Sequence, residues 1–119
     1  METYYYKRVM IIDTDAHHSD GTQWSFYTSN KVMCYSIHET GKFLFPGSGH
    51  YTERGVDIGY SYTVNVPLET FTEDDSYLES FKLTVEPVVA AFKPDIILSV
   101  HGVDIHYRDP PNTYELFIK

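Results

Sequence analysis

Val9-Met10-Ile11-Ile12-Asp13-Thr14-Asp15-Ala16-His17-His18-Ser19-Asp20-Gly21 decides how this chain folds. Four consecutive apolar residues run into Asp-x-Asp-x-His-His-x-Asp-Gly. A continuous apolar run of this length reads as a strand buried on both faces, of the kind found in parallel sheets. A strand that ends in three carboxylates and two imidazoles makes a poor core. It is well suited to hold a divalent metal at the carboxyl edge of such a sheet, and so points to a metallohydrolase.

Outward from this stretch, the first strand is expected over residues 8–13, with Asp20-Gly21-Thr22 opening a helix. Residues 32–37 read as a second strand closed by His38. A long loop, 39–59, follows, rich in glycine and carrying Phe43-Leu44-Phe45-Pro46; loops of this length are usually functional. Residues 60–66 alternate as a third strand ending at Pro67. Thr72-Glu73-Asp74-Asp75 is helix-start chemistry, and Tyr77, Phe81, Val85, Val88, Val89 and Phe92 then share one helical face. Glu86-Pro87 is expected to kink or divide that helix. Residues 95–100 read as a further buried strand, ending in His101-Gly102-Val103-Asp104. The order of elements gives an α/β class with a mainly parallel sheet. Both polar clusters fall at carboxyl ends of strands, where active sites of such sheets lie.

The balance of 9 basic against 17 acidic residues, a net charge of −8, disfavours direct binding of nucleic acid. No apolar run is long enough to span a membrane. The N-terminal residues lack the apolar core of a signal peptide. One cysteine, Cys34, excludes an internal disulfide and fits a reducing compartment, so the expected location is the cytoplasm. Within Val32-Met33-Cys34-Tyr35 it reads as a small buried hydrophobe.

Asp15 and His17, two residues apart, would point the same way in extended chain. Asp104 at the other strand end would supply a third arm, and three protein ligands with an open position is the catalytic pattern for zinc. Such a site acidifies water and polarises a carbonyl. His38, His50 and His106 read as loop or supporting residues.

Several separated motifs, in order, resemble the histone deacetylase superfamily, including its bacterial acetoin-utilisation deacetylases. They are Ile12-Asp13-Thr14-Asp15-Ala16-His17-His18, Asp20-Gly21-Thr22-Gln23, Ser36-Ile37-His38-Glu39, Phe45-Pro46-Gly47-Ser48-Gly49, Tyr62-Thr63-Val64-Asn65-Val66-Pro67, Phe92-Lys93-Pro94-Asp95 and His101-Gly102-Val103-Asp104. The resemblance implies a three-layer α/β/α sandwich shared with arginases, and hydrolysis of acetyl-lysine or another acetylated amine. It implies Asp15, His17 and Asp104 as ligands of zinc, or of ferrous iron in the same donor set. Asp13 and Asp20 match carboxylates that orient the family's paired catalytic histidines, and Phe45 matches a wall of the acetyl-lysine tunnel. It further implies two sites for K⁺ or Na⁺. One would use Asp13, Asp15, His17, Ser36 and Ile37, the other the backbone carbonyls of Phe26, Ser29, Val32 and Tyr62. Departures are Ser19 and Val100, where the family usually has Gly and often Gln.

In the family the paired histidines precede the first motif, and the catalytic tyrosine follows the last zinc aspartate, each by several tens of residues. Residues 1–119 are therefore expected to be the central portion of a deacetylase domain, holding metal but having little activity alone, with an oligomer or a complementary fragment as candidate partners. Two other readings remain. Asp15-Ala16-His17-His18-Ser19-Asp20 also resembles the arginase-like ureohydrolases with two manganese ions, although Asp104-Ile105-His106 lacks their second Asp-x-Asp. A non-catalytic interaction module that keeps the metal core is the other.

Overall fold

The computed structural model describes residues 7–106, 108 and 109. Four parallel strands, β1 (Val9–Asp13), β2 (Val32–Glu39), β3 (Thr63–Leu68) and β4 (Ile96–Val100), form one sheet in the order β3-β2-β1-β4. Helix α1 (Asp20–Phe26) connects β1 to β2, and α2 (Asp74–Phe92) connects β3 to β4. The chain first winds from β1 through β2 to β3, then returns to lay β4 on the other side of β1. Right-handed crossovers in opposite directions place the two helices on opposite faces.

Strand β2 shows both faces. Met33, Tyr35 and Ile37 belong to the core that also holds Met10, Tyr77, Val85 and Phe92. On this side the Tyr35 hydroxyl meets Thr84 Oγ1 at 2.7 Å, and its ring stands edge-on to Phe81. On the other side Cys34 Sγ lies 3.8 Å from the Thr22 carbonyl of α1, and Ser36 Oγ accepts the Ser19 amide at 3.3 Å. The result is a three-layer α/β/α sandwich. Cys34 is buried as expected, and burial pushes its thiol up to about 11. No helix of the described residues is long and apolar enough to cross a membrane.

Helix α2 runs unbroken through Pro87 rather than dividing there. Pro87 and Leu83, whose carbonyl loses its helical partner, both face solvent, so that oxygen is not shut away from water. Buried Val85 and Phe92 on the opposite side keep the helix seated on the sheet. It ends at Lys93, which adopts the left-handed conformation and donates its amide to the Val89 carbonyl. Strand β3 extends through Pro67 to Leu68; at a sheet edge alternate N–H groups face away from the ladder, so proline is tolerated.

The expectation of a buried β4 fails. Ile97, Leu98 and Val100 are each nearly half exposed. The reason is topological: α1 packs on β2, and α2 packs on β2 and β3, so neither helix covers this edge. β4 is held by its backbone. Asp95 Oδ2 accepts the Lys7 and Arg8 amides at 2.9 and 2.8 Å, and the Asp95 amide donates to the Arg8 carbonyl. At the far end the Thr14 amide donates to the Val100 carbonyl at 3.1 Å.

Met10 is fully buried and Leu98 is 48% exposed, although they lie on neighbouring strands. Met10→Ala is expected to cost about 2–5 kcal/mol and Leu98→Ala less than about 1 kcal/mol. Urea denaturation of the two variants measures the difference, and equal losses would contradict this account of the core.

Candidate metal centre

The strand order reverses between β1 and β4, and the crevice outside their carboxyl ends is where α/β sheets place ligands. From β1 the chain does not continue extended. Buried Asp13 accepts the Asp15 amide on Oδ1 at 3.0 Å, and Asp15 Oδ1 accepts the His17 amide at 2.8 Å. These two successive Asx-type turns, rather than the alternation of an extended strand, bring Asp15 and His17 together. His17 Nδ1 lies 3.1 Å from Asp15 Oδ1 and 2.8 Å from Asp104 Oδ2. The Ala16 amide donates to Asp104 Oδ1 at 3.2 Å, joining the two strand ends. One ligand atom from each of Asp15, His17 and Asp104 falls within 4.8 Å of the others.

Gly102 is a participant that motif reading did not single out. A Cβ built there would run into Asp15 Oδ2 and sit 2.6 Å from Asp104 Oδ1. Both carboxylates therefore rest against bare backbone. The available signal was its place two residues before Asp104, where a close backbone approach calls for glycine. Beside it, His101 bonds Thr14 Oγ1 at 3.2 Å and Ser99 Oγ at 2.9 Å.

A second polar system lies behind the triad. His18 is buried, with Nδ1 2.8 Å from Ser48 Oγ and Nε2 3.0 Å from Gln23 Oε1. Gln23 Nε2 donates to Glu53 Oε2 at 2.7 Å, and Asn65 Nδ2 donates to Gln23 Oε1 at 2.7 Å. His38, on β2 rather than in a loop, donates from Nε2 to the Gly49 carbonyl at 2.9 Å. Its Nδ1 pairs with Ser36 Oγ at 2.8 Å. The Gly49 carbonyl calls for the proton on Nε2, which in the neutral ring leaves Nδ1 to accept from the Ser36 hydroxyl. Burial pushes its pKa down to about 4; the Gly49 carbonyl opposes that fall and the neighbouring His18 reinforces it. Burial opposes the charge on Glu53, yet hydrogen bonds from Gln23 and from the Gly49 and His50 amides hold its carboxyl below the usual range.

Other expected site residues fall as follows. Asp20 Oδ1 accepts the Gly21 amide at 2.7 Å in the first turn of α1. Asp13 and Ser36 are register partners across β1 and β2, while the Ile37 side chain is fully buried on the opposite face. The Phe26 carbonyl accepts the Ser29 amide and the Tyr62 carbonyl accepts the Cys34 amide. Ser29 Oγ accepts the Lys31 amide, and Val32 pairs with Val9. Phe45 is 73% exposed on the 39–59 loop. His50 is exposed and bonds Thr52 Oγ1. His106 is exposed, and its backbone lies in the turn after Asp104.

A sequence model of the histone deacetylase domain matches residues 1–119. Acetoin utilization protein AcuC of Staphylococcus aureus is 81% identical over 106 residues, covering 89% of this chain and 27% of that protein. The proteins of the same name from Staphylococcus xylosus and Bacillus subtilis are 73% and 53% identical over the same share of this chain. The chain spans a little over a quarter of the length of these curated relatives.

Because the pKa of His38 is lowered on folding, the unfolded chain binds more protons between the ordinary histidine value of 6.5 and about 4. Its contribution is present above pH 6.5 and is lost as pH falls through 4, up to on the order of 3 kcal/mol. Denaturation midpoints at pH 7, 5.5 and 4 should fall steadily, and His38→Gln should flatten the trend. An unchanged slope in that variant would contradict the assignment.

Proposed function

The chain belongs to the histone deacetylase family, and on that footing we propose that Asp15, His17 and Asp104 hold the zinc of an amide hydrolase acting on an acetylated amine or acetyl-lysine. The observation that carries this reading is the convergence of the three side chains at the crevice between β1 and β4. The donor set fits: one imidazole nitrogen and two carboxylates suit zinc or ferrous iron. Two carboxylates this close repel each other, and a dication relieves that repulsion. The bare backbone at Gly102 gives both carboxylates the space to approach.

When bound, zinc supplies a Lewis acid that polarises an amide carbonyl and makes water acidic. The residues of the chain do the positioning. Asp13 fixes the backbone of Asp15, and the Ala16 amide ties Asp104 to the β1 end. Phe45 offers an exposed aromatic surface for the apolar stem of the substrate. K⁺ or Na⁺ is proposed at Asp13, Asp15, His17, Ser36 and Ile37, and at the carbonyls of Phe26, Ser29, Val32 and Tyr62. A lone buried cysteine supports a reducing compartment such as the cytoplasm. The name of the relatives supports a role for this chain in acetoin utilization.

Proton transfer is a separate matter. Both ring nitrogens of His18 and of His38 are engaged in internal hydrogen bonds, so neither is poised as a base. Residues 1–119 taken alone are therefore proposed to bind metal with little turnover.

Zinc titration against a chromophoric chelator should give one ion per chain. Asp15→Asn and Asp104→Asn should each weaken binding by more than about 100-fold, and Gly102→Ala by roughly 10-fold. Wild-type affinity in Asp15→Asn would overturn the site. Hydrolysis of an acetyl-lysine peptide by the 119-residue chain should not exceed that by free zinc, and robust turnover would overturn the second part.

A further inference from the structure

We propose that His18 is a positioning residue that couples metal loading at the neighbouring triad to order in the glycine-rich loop between β2 and β3. The inference rests on the metal reading above and adds a partner element to it.

The geometry begins with the backbone of residues 16–18. The Glu39 amide donates to the Ala16 carbonyl at 2.9 Å, the His17 amide is held by Asp15, and the Asp20 amide donates to the His18 carbonyl at 2.8 Å. With the chain pinned on every side, adjacent imidazoles are sent to different places. The His17 ring is about one third exposed and meets the two triad carboxylates. The His18 ring is buried and meets Ser48, thirty residues along the chain.

The loop leans on that ring. Gly49 adopts a φ of +90°, and a Cβ there would fall 2.6 Å from His18 Cγ and overlap His38 Nε2. Its backbone therefore lies directly on the two histidines, whose ring centroids are 4.9 Å apart. The Gly49 amide is held by Glu53, and Glu53 is held through Gln23, the second partner of His18. Apolar anchoring of the loop is meagre. Leu44 is buried, whereas Phe43, Phe45, Tyr51, Val56 and Ile58 are all exposed. A segment with so little buried apolar surface and so many polar ties opens at low free energy.

Immobilising the His17 ring restricts the peptide that also carries His18, so metal binding favours the conformation in which Ser48 and Gly49 are seated. By linkage, seating the loop favours metal binding by the same factor. The link runs through one hydrogen bond at each end of the His18 ring, which sets the coupling on the order of five-fold.

The test uses the 119-residue chain with zinc sulfate, reading amide hydrogen exchange over residues 44–53 and zinc affinity in parallel. Zinc should slow exchange in that segment about five-fold in the wild type. Ser48→Ala leaves all three metal ligands in place. It should weaken zinc binding by the same factor and remove the zinc-dependent protection. Zinc binding by the wild type with unchanged loop exchange would overturn the coupling while leaving the metal site standing, and needs no variant to fold. Failure of the wild type to bind zinc, with Asp15→Asn no different, would overturn the metal reading and the coupling together.

Discussion

Everything at the candidate site depends on β1 being hydrogen-bonded in parallel on both sides, to β2 and to β4. The residues His17 and Asp104 are far apart in the chain, yet their polar atoms lie 2.8 Å apart. Local preference cannot produce that contact. It follows from two crossovers that wind in opposite directions and leave the ends of β1 and β4 side by side. The apolar residues Met10, Met33, Tyr35 and Ile37 secure this arrangement by burying one face of β1 and β2 under α2. The core thus supports the site from beneath, and the chemistry is confined to the rim.

Residues 16–18 separate two polar environments of opposite character. On one side are carboxylates and an imidazole, half-open to solvent and crowded in a way that a cation relieves. On the other is a closed lattice of imidazoles, amides and hydroxyls joined by hydrogen bonds. A buried network of this kind is costly when half satisfied and rigid when complete. Burial within it is what keeps His38 neutral far below the usual histidine range. The identical residue type at 17 and 18 therefore serves unlike purposes, decided by which way a constrained backbone sends each ring.

Much of this could be read from the residues. The apolar run before Asp13, the helical face from Tyr77 to Phe92 and the polar strand ends at Asp15 and Asp104 carry strong local patterns. What escaped reading arises from contacts without a local signature. The turn that joins Asp15 to His17 looks like extended chain in composition, but short aspartate side chains capture backbone amides two residues on. Pro87 reads as a breaker, yet its side of α2 faces water. β4 is as apolar as a buried strand and lies uncovered because of its place in the order. The His18–Ser48 and Asn65–Gln23 bonds join residues with no shared periodicity, so only the folded chain reveals them.

The carboxylate of Asp95 fastens the start of β4 to Lys7 and Arg8, and Val100 fastens its end to Thr14. Between these fixed points the chain works as a ruler. Adding or deleting one residue there would displace Asp104 by about 3.3 Å and turn alternate side chains to the other face. Metal–ligand distances tolerate only about 0.2 Å. Changes of length are thus far more disruptive in residues 95–104 than in the exposed parts of the 39–59 loop. Evolution of this architecture is free to lengthen or trim that loop, while the short span from Asp95 to Asp104 must keep its residue count.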